Sequence, residues 1–286
     1  MLSDSSKLKP ARPAKSAPSN EPDAVSKLSP LDETKSPKIP IVSWNPWVGL
    51  VYAITLFVGS QIIGGLLLAL GYIVLTQRSP KEAVNAINDS IEGRFLLVLF
   101  IEAIVVGGVF LFIKSRKSSL ASIGLNKPKW SDLGYGLIAA PAYYFVYGIT
   151  LAITTHFLAG LNVNQEQDTG FGGAIGTLPL VLTFISLVIL PPIAEEILVR
   201  GFIYSNFKKA VRPVLAVLFT SALFASAHLF GGVNGSAIWV AVIDTFVLSL
   251  FLIYLREKTG SLWASMLLHA IKNGVAFLFL FIIHAQ

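Results

Sequence analysis

The chain has 286 residues, 54% hydrophobic and 13% charged, with a mean hydropathy of +0.69 and a formal charge of +6. So few charges among so many apolar residues exclude a water-soluble globular domain and point to an all-α, polytopic membrane helix bundle. The basic excess does not indicate a nucleic-acid partner, because Lys and Arg sit in the tail and short loops rather than on one face. Cysteine is absent, which removes disulfides, a thiolate nucleophile and Cys-type zinc sites.

Residues 1–40 are rich in Pro, Ser, Lys and Asp and nearly free of aromatics, a composition that predicts a disordered tail. The tail has no apolar core of a cleaved signal, so the first span is expected to serve as an uncleaved insertion signal. A crossing takes roughly 20 apolar residues, and about seven are expected, at 47–76, 95–113, 133–161, 177–207, 213–230, 237–255 and 262–283. The chain divides into the tail at 1–40, N-terminal transmembrane helices at 41–119, and a remainder at 120–286. Gly231, Gly232, Asn234 and Gly235 separate the fifth and sixth spans. Pro191-Pro192 is expected to kink or restart the fourth, placing Glu195 in a first helical turn where the dipole favours an anion.

Lys and Arg recur in the tail and in the second, fourth and sixth loops and are absent from the third and fifth, with Arg78, Lys81 and Arg94 in the first loop the exception. The alternation predicts a cytoplasmic N-terminus and an integral, multi-pass protein, in the plasma membrane if the source is prokaryotic. Trp44, Trp47, Trp130, Trp239 and Trp263 all fall at predicted span ends, as an aromatic belt would.

Ionisable groups inside such spans are costly and therefore functional candidates. Three clusters occur: Glu195-Glu196 with Arg200, Phe224 with His228, and His269 with Asn273. At about 1.5 Å per helical residue, Glu195 lies roughly 20 Å from Lys208, His228 roughly 24 Å from Arg212 and His269 roughly 16 Å from Lys258, which brings all three near mid-membrane. The i to i+4 spacing puts Glu196 on one face with Arg200, Phe224 with His228, and His269 with Asn273. Glu196 and Arg200 read as a structural ion pair. Glu195, about 100° away on the helix, has no partner in the sequence and suits a general base. His228 alone could be a packing histidine, and His269 with Asn273 interhelical glue; their shared depth argues for a site. Lys272 is expected on another face in a snorkelling or paired role, and Asp244 and Glu102 as interhelical partners. His156 and His284 are expected at solvated outer ends.

The segments from Glu195 to Gly201, from Leu223 to His228 and from Arg256 to Asn273 together resemble the CPBP family of intramembrane proteases, the CAAX proteases and bacteriocin-processing enzymes also called the Abi family. The motifs E-E-x-x-x-R, F-x-x-x-H and H-x-x-x-N occur in that order, with T-G-S-L-W before the last; Val199 stands where the family usually has Phe. The likeness covers roughly residues 120–274. It implies an intramembrane endopeptidase with Glu195 as the base that activates water, His228 holding or polarising that water, and His269 with Asn273 stabilising the oxyanion. Glu196, Arg200 and Phe224 would support the site. The implied substrate is a membrane peptide or lipidated protein in the bilayer, and no cofactor is required.

Two alternatives stay open in the sequence. Glu195, His228 and His269 form a permissible zinc ligand set with an open position for water, as in a metalloprotease, although no H-E-x-x-H occurs. The same buried polar groups could instead serve a non-catalytic scaffold or transporter, against which stands the lack of an inverted repeat.

Overall fold

The computed structural model describes residues 44–158, 160–165 and 167–283. The expectations for the tail and for His284 fall outside them. Eight helices make up the described chain: α1 (Pro46–Thr76), α2 (Pro80–Asn88), α3 (Ile91–Ser115), α4 (Trp130–Phe157), α5 (Thr177–Phe207), α6 (Pro213–Ser226), α7 (Trp239–Thr259) and α8 (Trp263–Ile283). The described residues contain no β-sheet, only a single antiparallel bridge between Gln167 and Gly232.

Six helices are long and apolar enough to cross a membrane, and the protein is an integral, multi-pass membrane protein. The seventh apolar helix, α6, has 14 residues. It rises only roughly 21 Å at the standard helical pitch, short of a hydrocarbon core of roughly 30 Å. The fifth predicted crossing is thus a short helix followed by turns, and His228 lies beyond the helix end rather than within it. Irregular backbone at membrane depth is tolerated where it is enclosed by protein or lines a cavity, and His228 does the latter.

Local chemistry sets the helix starts. The Asn45 side chain accepts from the Trp47 and Val48 amides at 2.9 and 3.4 Å, with Pro46 at the first position. Helix α2 is unexpected from hydropathy. Its signal is local: Ser79 and Glu82 form a reciprocal capping box, again with Pro in the first turn.

Helix α5 runs through Pro191-Pro192 without restarting. It adopts wider π turns at Ile185–Ile189 and Glu196–Tyr204, with six α-helical residues, Leu190–Glu195, between them. Glu195 therefore ends an interior α-helical stretch, and the first-turn position expected for it does not exist. The prolines act on hydrogen bonding instead. The Leu187 carbonyl would look for a donor four or five residues on, and both residues there are prolines without an N–H.

Loop contacts give the bundle two sides. On one, Lys208 pairs with Glu257 at 2.6 Å, the Asn126 amide donates to Gly260 O at 2.9 Å, and Leu262 N donates to Gly124 O at 3.0 Å. On the other, Asp168 N donates to Gly231 O at 2.9 Å and the Gln165 amide to Ala237 O at 2.8 Å. The second, fourth and sixth loops thus share one side, and the third and fifth share the other.

The main apolar core joins α1, α3 and α5. Trp44 stacks on Phe202 at 5.3 Å between centroids and meets Phe112 edge-on at 5.4 Å. Trp44 is consequently buried, a core residue rather than a belt residue, because its ring packs against Phe202 of α5 and Phe112 of α3. Trp47, Trp130, Trp239 and Trp263 are exposed at helix starts.

Candidate active site

Arg200 is fully enclosed, and so is its partner Glu196, with Nη1 2.8 Å from Oε1. Both charges would be prohibitive singly; paired, each compensates the other's lost hydration. The rest of the guanidinium lies over the ring of Phe224, its Cζ 4.2 Å from the centroid. Phe224 in turn meets the rings of His228 and His269 edge-on, at 4.8 and 5.9 Å. One aromatic ring therefore sets the places of three of the candidate polar side chains.

His269, carried on α8, is inserted between the two adjacent glutamates. Its Nδ1 is 3.2 Å from Glu196 Oε1 and its Nε2 is 3.7 Å from Glu195 Oε2. A carboxylate oxygen only accepts, so Nδ1 carries a proton and donates it to Glu196. In a neutral ring Nε2 would then be an acceptor facing a second acceptor. A proton held between Nε2 and Glu195, or a bridging donor such as water, resolves that opposition. Glu195 itself is a quarter exposed, and its Oε2 is enclosed with no hydrogen-bond partner among the described residues.

His228 donates from Nδ1 to the Phe224 carbonyl at 2.9 Å, the only role a carbonyl permits. Its Nε2 is therefore left as an acceptor. Asn273 donates through Nδ2 to the Leu187 carbonyl at 2.9 Å, supplying the donor that the two prolines cannot. Glu195, His228, His269 and Asn273 line one polar cavity of about 210 Å³, with Gln167 and Thr169 of the third loop at its edge. Glu195 and His228 also line a second, apolar cleft of about 300 Å³, walled by Ala53, Ile54 and Phe57 of α1 and Leu223 of α6.

The paired role expected of Lys272 is met, but the face expected for it needs correction. Lys272 lines the polar cavity, and its ammonium is 3.0 Å from Asp244 Oδ2; Tyr143 donates to the other carboxylate oxygen. Residue 272 is one step from Asn273 but three from His269, and positions three apart share a helix face. The spacing could have shown it. Asp244 is the interhelical partner expected of it. His156 is exposed at the end of α4.

Residues 177–275 match the family described as type II CAAX prenyl endopeptidase Rce1-like. The matched segment runs from α5 into α8 and includes Glu195, Glu196, Arg200, Phe224, His228, His269 and Asn273, and the match supports a CPBP-family, CAAX-protease-like intramembrane peptidase. An uncharacterized protein of Bacillus subtilis (strain 168), YyaK, is 23% identical over 243 residues, covering 82% of this chain and 78% of its own length. No solved structure matches. The Rce1-like segment thus carries the polar cavity, while α1, outside it, contributes a wall of the apolar cleft.

Among the described residues no group of three or more His, Asp or Glu side chains is arranged to hold a metal ion, while Glu195, His228 and His269 share one cavity and Nε2 of His269 faces Glu195.

Proposed function

We propose that this chain is an intramembrane endopeptidase that hydrolyses a peptide bond of a membrane-associated or lipidated protein or peptide. The observation that carries the reading is that Glu195 and His228 stand on the wall common to the polar cavity and the apolar cleft. Water belongs in the first and an apolar stretch or lipid chain of the substrate in the second. The scissile bond lies where they meet.

In this reading Glu195 takes a proton from water that His228 holds through its accepting Nε2. The water oxygen bonds to the scissile carbonyl carbon, and the resulting oxyanion is met by Nε2–H of His269, whose ring in this reading is doubly protonated with Nδ1–H held by Glu196, and by the second amide hydrogen of Asn273. Glu195 then passes the proton to the departing amine as the C–N bond breaks. Glu196, Arg200 and Phe224 act through His269: the first holds its Nδ1, and the other two keep Glu196 ionised and the ring in place. No cofactor takes part in any of these steps.

Glu195→Gln keeps size and hydrogen bonding but removes the base. Reconstituted into liposomes with a native membrane peptide, this variant is expected to lose about 10²- to 10⁴-fold in cleavage rate, the range general-base catalysis supplies. Its melting profile should match wild type. Equal cleavage by the two proteins would end the protease reading and favour the scaffold.

A further inference from the structure

The polar cavity and the apolar cleft leave Glu195 and His228 in opposite directions along the bundle. On α8 the cavity lining runs from His269 to Leu280, roughly 17 Å of helix directed toward the side of the third and fifth loops. On α7 it consists of Ala241, Asp244 and Thr245, all within roughly 9 Å of the helix start at Trp239. Gln167 and Thr169 of the third loop complete that end, and Gln167 is exposed. The cleft takes the other course. On α5 it follows Leu198, Val199 and Ile203, and Ile203 is roughly 6 Å of helix from Phe207. Phe207 meets Trp47, at the start of α1, edge-on at 5.4 Å, so the cleft is directed toward the side of the second, fourth and sixth loops. The polar lining does not continue that way: Arg200, Phe202, Leu262 and Met266 are buried between the glutamates and those loops.

We propose that the substrate is a membrane-inserted segment whose apolar part lies in the cytoplasmic half of the bilayer and whose hydrophilic part lies on the extracytoplasmic side, where hydrolysis releases it; the proposal rests on the protease reading above. The loop charges make the side of the second, fourth and sixth loops cytoplasmic. The attacking water and the hydrophilic part of a substrate both need a polar surround, and the cavity that supplies it at Glu195 lies toward the opposite side. The cleft presents Ala53, Ile54, Phe57 and Leu223, and every peptide group placed against that wall without a partner is penalised. An apolar stretch suits it, and a hydrophilic one does not. This separates the proposed substrate from a cytosolic protein held at the membrane by a lipidated tail. Such a protein keeps its hydrophilic body on the basic-loop side and would have to thread polar chain through the cleft to present a peptide bond to Glu195. A segment with its hydrophilic part outside meets no such barrier. The bond to be broken then sits where its two parts join, as Glu195 and His228 sit where the cavity and the cleft join.

The test reads the sidedness of the cavity in the full-length protein, with single cysteines introduced into a chain that has none. Ala241→Cys and Ala276→Cys put a thiol on the cavity lining away from the proposed catalytic groups, and they stand on different helices, so one misfolded variant leaves the other to decide. Ile175→Cys and Arg212→Cys mark the third and fourth loops. A small, membrane-impermeant thiosulfonate added outside intact cells should label the cavity thiols together with Ile175→Cys and spare Arg212→Cys. In inside-out vesicles the cavity thiols and Ile175→Cys should lose that labelling while Arg212→Cys gains it. In intact cells the hydrophilic product of a native membrane peptide should appear in the medium with wild type and be lost with Glu195→Gln. Cavity thiols that label from the Arg212 side, or a product retained in the cytoplasm, would overturn the proposal in favour of a lipidated cytosolic tail. Cavity thiols that label from neither side would overturn it as well, since water would then not enter by this route, and exchanged loop markers would put the hydrophilic part in the cytoplasm. Product formation that does not depend on Glu195 would overturn the protease reading instead, and the labelling pattern would still report which way the cavity opens.

Discussion

Removing Arg200 is the sharpest test of how the site is held. The residue and Glu196 are both fully enclosed at 2.8 Å, so Arg200→Ala leaves a buried carboxylate with no countercharge. Breaking such a pair from one side costs about 3 to 5 kcal/mol, and the guanidinium over Phe224 adds a cation–π contribution of up to about 2 kcal/mol when desolvated. Against total stabilities of about 5 to 15 kcal/mol, the expected outcome is low abundance rather than a stable inactive protein. The partner experiment is Arg200→Met with Glu196→Met. Replacing a buried ion pair by apolar side chains of similar volume is often neutral or stabilising, so the double variant should regain much of the lost melting temperature. It should still cleave poorly, because Nδ1 of His269 then has no carboxylate at 3.2 Å to hold it. Melting in detergent micelles and cleavage in liposomes read the two effects separately. A well-folded Arg200→Ala protein with wild-type melting and no cleavage would refute the structural assignment and make Arg200 a direct participant. A fully active double variant would refute the orienting role of Glu196.

Two further outcomes are expected. Purified protein should contain no stoichiometric zinc by elemental analysis, and strong chelation should leave cleavage intact; zinc lost on both Glu195→Gln and His228→Ala would overturn the metal-free proposal. Because the wild type has no cysteine, single-cysteine variants report sidedness cleanly. In intact cells, an impermeant thiol reagent should label a cysteine at Ile175, in the exposed third loop, and spare one at Ser19; the opposite pattern would invert the topology drawn from the loop charges.

Composition and hydropathy alone specify the membrane, the helices and nearly every crossing, since a lipid-embedded backbone must satisfy its own hydrogen bonds and has few ways to do so. The i to i+4 spacing likewise carries the contacts of Glu196 with Arg200 and of Phe224 with His228, because such pairs are geometric neighbours within one stretch of chain. Hydropathy misses α2, whose evidence is a capping box rather than an apolar run. The Pro191-Pro192 pair announces a disruption in the sequence but does not say how it is resolved. The tertiary structure decides that: wider turns on either side keep α5 continuous, and Asn273 from α8 supplies the donor Leu187 lacks. The insertion of His269 between Glu195 and Glu196, the cavity shared with Lys272 and Asp244, and the apolar cleft formed with α1 are equally tertiary. Each depends on how separate helices rotate and approach. Periodicity within one helix fixes which residues share its face, and only packing fixes which helix that face meets.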